Sequence, residues 1–285
     1  MKIGFIGLGI MGESMSENIV KKHDDKVYVF DFIKEKVDLL ASKGAVPCAD
    51  SAEVAKNADV IITMVPKSEH SRAVYTSILD VLDETKTCID MSTIDPSASI
   101  EISEMVKKTG AQFIDAPVVK SKPAAIDGTL GIYVGGDAEV YEAMRPILLY
   151  MGCNIIHMGA NGSGLVMKIC HNALATQIQN GVNETLTLAQ HYGINALDFA
   201  TAISYGGAGN FYLAGQAPKL HAEDYTTAFS LENAAKDVGI CMNMAKESGI
   251  DMPGEANVNR VYQIGMEKGM GKEDWRATFK IVRGH

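Results

Sequence analysis

Residues 2–20 read KIGFIGLGIMGESMSENIV, and this stretch decides the fold. It opens as a short apolar strand. Gly7, Gly9 and Gly12 then form G-x-G-x-x-G around Ile10 and Met11, and a helical pattern begins directly after. Gly7 permits a tight turn, and Gly9 lets the backbone approach a pyrophosphate. Gly12 allows close packing of helix on strand, and the helix N-terminus favours phosphate charge. Strand, glycine turn and helix in this order predict a dinucleotide-binding unit. Those five residues, Gly7, Ile10 and Met11 included, are its expected cofactor contacts.

The next strand, VYVFD, ends in Asp31. A carboxylate there accepts hydrogen bonds from the adenosine ribose hydroxyls and repels a 2′-phosphate, so NAD is the expected cofactor rather than NADP. Working outward, DVIITMV, KTCIDMS, AQFIDAPVV and LGIYVGG read as further strands, rich in Val and Ile and bounded by Gly, Asp or Pro. Helical runs such as KEKVDLLASKG and ASIEISEMVKKTG alternate with them. The pattern implies an α/β fold with a doubly wound, mostly parallel sheet. Ligands in such sheets sit outside the carboxyl ends of the strands, which adds Met64, Val65, Pro66, Ser92 and Thr93 to the expected cofactor residues.

The alternation stops after CNIIHMGANGSG. A proline-free helical stretch runs from Leu165 to Tyr192, and the rest reads as helix too. The expected division is residues 1–162 for the nucleotide domain and 163–285 for an all-α domain entered through one long helix.

Composition narrows the classes. Apolar residues make up 47% of the 285, enough for a full core, and the net charge of −9 argues against a general nucleic-acid surface. The five cysteines are odd in number and widely spaced, with no C-x-x-C. Neither a metal centre nor a disulfide framework is expected, and buried free thiols fit a reducing, cytoplasmic setting. No segment reads as a membrane span.

Two clusters carry chemistry. In GSGLVMKICHN, Lys168 and Asn172 are one helical turn apart on one face, with His171 close by. A lysine beside a hydride acceptor can serve as the proton donor of a dehydrogenase. In DAPVVKSKPAAIDGTL, a buried-type strand gives way to Val119, Lys120, Ser121 and Lys122. Two cations around a serine are either an anion site or ordinary surface. Pro123 makes it doubtful that the strand continues far enough to turn both lysines to one side.

GFIGLGIMG, DMSTIDP, DAPV…GTLGIYVGG, GSGLVMKICHN and AAKDVGICMNMA together resemble the β-hydroxyacid dehydrogenases, which include 3-hydroxyisobutyrate dehydrogenases and tartronate semialdehyde reductases. The resemblance covers nearly the whole chain. It implies a Rossmann domain followed by a helical domain, Lys168 as general acid/base, and Asn172 as a substrate-holding residue. It also implies that Lys236 reaches the cofactor, with Asp237 either orienting Lys236 or only pairing with it at the surface. The family usually reads D-A-P-V-S-G-G where this chain has Val119, Lys120 and Ser121. The 3-sulfolactaldehyde reductase branch is similar in placing a cation followed by hydroxyls there, and GKEDWRA also resembles that branch.

The expected activity is an NAD-dependent interconversion of a small anionic aldehyde and its 3-hydroxy acid. The specific expectation is 3-sulfolactaldehyde and 2,3-dihydroxypropane-1-sulfonate, with substrate contacts at Val119, Lys120, Ser121, Lys122, His171 and Asn172. The alternatives are a carboxylate semialdehyde reductase, an imine reductase, which Lys168 counts against, and a non-catalytic NAD-binding regulator. Fold analogy suggests a homodimer or homotetramer.

Overall fold

The computed structural model describes residues 1–284 and divides into two compact units, Met1–Lys168 and the chain from Ile169 onward. The first unit begins β1 (Ile3–Ile6), α1 (Gly12–Lys22), β2 (Val27–Phe30), α2 (Lys34–Ser42), β3 (Val46–Pro47) and α3 (Ser51–Asn57). It continues through β4 (Val60–Thr63), α4 (Ser68–Ile78), β5 (Thr87–Asp90), α5 (Pro96–Lys107), β6 (Gln112–Asp115) and β7 (Val118–Val119). Then come α6 (Lys122–Asp127), β8 (Leu130–Gly135), α7 (Ala138–Leu148), β9 (Gly152–Gly159) and the start of α8 (Ser163–His191).

The strands form one sheet in the order β3-β2-β1-β4-β5-β6-β8-β7, with β9 paired to β8. The pairs from β3 to β6 are all parallel. Chain direction across the sheet reverses between β1 and β4, which places the ligand crevice outside the carboxyl ends of those strands. The central strands are buried on both sides, so their residues read as continuous apolar runs, but period two still sorts them. Ile62, Ile89 and Ile114 pack on one face with Met15, Ile19 and Leu148. Ile61, Cys88 and Phe113 pack on the other with Tyr75, Ile78 and Ile102. Helix starts follow local chemistry: Asp50, Asp95 and Asp137 cap α3, α5 and α7 through their side chains, and Pro96 opens α5.

The doubly wound sheet is as expected, with three differences. AQFIDAPVV is two strands, because Pro117, lacking an N–H, interrupts it, and β7 runs antiparallel to β8. Neither the short β3 nor the β9 strand was expected. β9 is an outer, half-buried strand whose Asn154 and His157 hide its apolar period.

The second unit continues α8 and adds α9 (Ala196–Ser204), α10 (Phe211–His221), α11 (Leu231–Glu247), α12 (Pro253–Glu267) and α13 (Thr278–Arg283). Its core includes a fully buried ion pair, Arg276 Nε to Asp274 at 2.6 Å. The guanidinium also donates to Gln216 and to the Thr226 carbonyl, so each of its three nitrogens has a partner. Tyr262 bonds Gln179, whose amide reaches the Trp275 carbonyl.

The five cysteines are free, but only Cys88 and Cys241 are buried; Cys153 and Cys170 are exposed, against the expectation of buried thiols. Among the described residues no helix is long and apolar enough to cross a membrane.

Candidate active site

The nucleotide end follows from backbone geometry. Gly7 has φ +97° and donates its N–H to the Phe30 carbonyl at 3.0 Å. A Cβ at Gly7 would overlap the Met64 carbonyl oxygen, and one at Gly12 would overlap the Gly7 carbonyl oxygen. Neither position accepts a side chain, and Met64 and Val65 are thereby brought against the glycine turn. A Cβ at Gly9 would meet nothing within 4 Å, which is open space at the turn where a pyrophosphate needs close approach. Ile10 is exposed and Met11 half-buried, and α1 starts at Gly12.

Asp31 stands at the end of β2 with one oxygen accepting from Leu8 N at 2.6 Å and the other from Ile33 N at 2.8 Å. The Leu8 bond ties the acid to the glycine turn. These residues fit a nicotinamide dinucleotide: a permissive turn, a helix N-terminus and an oriented acid lie within one βαβ unit.

Ser92 is placed differently from expectation. It is fully buried, and its hydroxyl accepts from Val65 N at 2.9 Å. Its own N–H donates to Asp90, which also accepts from the Ser71 hydroxyl. Ser92 therefore fixes the end of β4 from within, while half-buried Thr93 and exposed Pro66 stand at the surface of that end. Burial raises the Asp90 carboxyl pKa, and the Ser92 and Ser71 bonds oppose that rise.

The loop after β7 is specific in shape. Val119 is buried, and its Cγ2 fills the space a side chain at Gly131 would need. Lys120 has φ +77°, a left-handed conformation that costs a non-glycine residue about 1–2 kcal/mol. Its Nζ donates to the Thr129 carbonyl at 2.6 Å. Ser121 is the N-cap of α6 but makes no side-chain capping bond, and exposed Lys122 lies in the first turn of that helix. The strand stops at Val119, so no strand alternation relates the two lysines.

Asp115, from the same D-A-P-V segment, was not singled out from the sequence. Its buried carboxylate accepts from Gly162 N at 2.6 Å and Leu165 N at 3.0 Å, capping the start of α8. Side chains at Gly135 or Gly164 would crowd its oxygens. Burial pushes its pKa up to about 6 against the pull of those amides.

On α8, Lys168 is 9% exposed and His171 is exposed. Asn172, half-buried, donates its Nδ2 to Asp237 Oδ2 at 2.7 Å. Lys236 Nζ lies 3.3 Å from the other oxygen. Asp237 is 4% exposed, which corrects the surface-pairing expectation: this acid holds Asn172 and Lys236 together. Among the described residues no group of three or more His, Cys, Asp or Glu is arranged to hold a metal.

Residues 2–159 match the model of the NAD-binding domain of 6-phosphogluconate dehydrogenase, and residues 162–282 match that of the NAD-binding region of NADP-dependent 3-hydroxyisobutyrate dehydrogenase. The chain is 35% identical to the mitochondrial 3-hydroxyisobutyrate dehydrogenase of Drosophila melanogaster, over 99% of this chain and 89% of that protein. It belongs to the β-hydroxyacid dehydrogenase family. The 3-sulfolactaldehyde reductase of Escherichia coli K12 is 33% identical, over 99% of this chain and 95% of that one. The 3-hydroxyisobutyrate dehydrogenase of Mycobacterium tuberculosis, solved with L-serine, superposes with a TM-score of 0.92 at 28% identity, covering 99% of each chain. The chain is thus a nicotinamide-dependent oxidoreductase acting between hydroxy acids and semialdehydes. The near-equal identities to relatives named for a carboxylate and a sulfonate leave the substrate to the site itself.

Proposed function

We propose that the chain reduces a small anionic aldehyde to its 3-hydroxy acid with NADH, and catalyses the reverse reaction, with 3-sulfolactaldehyde and 2,3-dihydroxypropane-1-sulfonate as the favoured pair. The observation that carries the substrate reading is Lys120. It adopts a left-handed conformation at a position where glycine costs nothing. Keeping a lysine there at about 1–2 kcal/mol implies that its ammonium is used. The Thr129 carbonyl occupies one of its three donors and fixes the amine, and the remaining N–H groups suit an anionic oxygen. The Ser121 hydroxyl, not spent on capping α6, is the second donor; Lys122 and His171 stand as weaker contacts, and Val119 shapes the loop from beneath.

The cofactor is read as NAD. Gly7, Gly9 and Gly12 with Ile10 and Met11 hold its pyrophosphate, and Asp31 binds the adenosine ribose. Met64, Val65, Pro66 and Thr93 border it, Ser92 acts through Val65, and Lys236 reaches it from α11. When bound, it supplies the hydride. Lys168 gives its proton to the alkoxide oxygen formed on reduction, and as the neutral amine takes the hydroxyl proton on oxidation. With one N–H held by Asp237, Asn172 keeps its carbonyl oxygen and second N–H to orient the substrate. A carboxylate semialdehyde is the second reading, since an ammonium and a hydroxyl also bind a carboxylate. Leu174 and Leu188, each 61% exposed on α8, suit a homodimer or homotetramer.

The test is steady-state kinetics of Lys120→Ala on sulfonated and carboxylated aldehydes of matched length. A lost charge-assisted contact of roughly 1.5–3 kcal/mol lowers kcat/KM about tenfold to a hundredfold on the true substrate. Unchanged kinetics would reduce Lys120 to a clamp on Thr129 and remove the sulfonate reading.

A further inference from the structure

Glu255 sits in the first turn of α12 with its side chain fully buried, and neither carboxyl oxygen makes a well-formed hydrogen bond. A buried charge with no partner is among the costliest arrangements in a protein interior. The seam it occupies is with α8. Thr176 and Gln177 face it, and the Gln177 amide oxygen lies where a side chain at the adjoining Gly254 would stand. Thr176 is of little help to a carboxylate, because its hydroxyl proton goes to the Ala173 carbonyl at 2.9 Å.

Among the described residues no cation pairs with Glu255. Cys241 on α11 and Tyr262 on α12 feel its charge, and both are neutral: burial pushes Cys241 up to about 11 and Tyr262 well above its usual value. The charged side chains nearest along these helices are already engaged. Asp237, one turn before Cys241, holds Asn172 and Lys236, and Glu184, on α8 beyond Thr176, accepts from Asn180. Exposed Arg260 donates to Asn257.

We propose that Glu255 is a proton-operated latch between α12 and α8: the seam is closed while the carboxyl group is neutral and loosens when it ionises, one helical turn from Asn172. A protonated carboxyl carries its own donor and needs no cation. Burial pushes its pKa up to about 7, with Gln177 and Thr176 opposing, so the latch changes state in the neutral range. The folded pKa is raised above the ordinary carboxyl value of 4.5. The stabilising contribution is therefore complete below that ordinary value and lost as pH rises through about 7. The latch concerns helix packing, so it stands whether or not Asn172 binds substrate.

Two measurements on the full chain test it. With glutamate carboxyl carbons labelled with ¹³C, one resonance titrates near neutral pH; finding that every glutamate titrates below about 5.5 overturns the proposal. Glutamate labelling keeps the buried aspartates Asp90 and Asp115 out of the spectrum. In thermal melts, Glu255→Gln gains on the native chain between about pH 6 and about pH 8, by roughly 3 °C or more. A difference that does not change with pH overturns it. Should Glu255→Gln fail to fold, the titration of the native chain decides alone.

Discussion

Replacing Asp237 by Ala removes the acceptor that holds Asn172 Nδ2 at 2.7 Å and the carboxylate 3.3 Å from Lys236. The two contacts differ in weight. The Asn172 bond is made by a charged acceptor that is 4% exposed, so it is worth roughly 1.5–3 kcal/mol. Lys236 keeps 25% of its side chain exposed, and at 3.3 Å its pairing is longer than a good charge-assisted bond, so its share is smaller. The loss should fall on substrate orientation through a free Asn172 amide, with kcat/KM for the aldehyde lower by about tenfold to a hundredfold. Asp237→Asn keeps an acceptor oxygen of the same shape for Asn172 and should recover most of that loss. The assay is NADH oxidation at varied aldehyde, with NADH affinity measured separately by fluorescence. If Asp237→Ala stays within about twofold of the native enzyme, Asn172 does not depend on this acid and the positioning role fails. If Asn and Ala variants are equally impaired, the charge beside Lys236 matters and the hydrogen bond to Asn172 does not.

Asp31→Ser removes the carboxylate proposed to bind the adenosine ribose and should narrow the expected preference for NAD over NADP; a native enzyme that turns over NADP equally well would contradict the proposed role of Asp31. Asp115 makes stability depend on pH. Its folded value of about 6 lies above the ordinary 3.8, so the buried acid stabilises most at low pH, and that contribution is lost as pH rises through about 6. The full shift corresponds to about 3 kcal/mol at most. Urea unfolding at about pH 5 and about pH 7.5 should show a smaller loss of stability for Asp115→Asn than for the native chain, and parallel losses would refute it.

Much of this molecule is legible in its sequence because each level repeats the same message. The glycine turn works because Gly7 and Gly12 approach carbonyl oxygens too closely for any side chain, and only a spaced glycine pattern records that. Strands such as VIIT at β4 are apolar because they are covered on both sides. What is hidden comes from long-range partners. Asp115 caps a helix that starts 48 residues later in the chain, at Ser163, and nothing local marks it. Ser92 has the hydroxyl of a ligand contact, but the chain turns it inward onto Val65 N. Asp237 follows Lys236 directly, which suggests a local surface pair. Its burial against Asn172 depends on how α11 packs on α8, which one helix's sequence does not state. At Lys120 the sequence shows the cation but not its left-handed backbone, because that conformation is set by the turn into α6 and the Thr129 carbonyl.

Lys168 bears most directly on the proposed chemistry. NADH titration and single-turnover reduction of the best acidic aldehyde by Lys168→Ala separate binding from proton transfer. Near-native NADH affinity is expected, with the reduction rate lower by about 10²-fold or more, the scale of a lost general acid. Near-native reduction by Lys168→Ala would contradict the assignment and place the proton donor elsewhere.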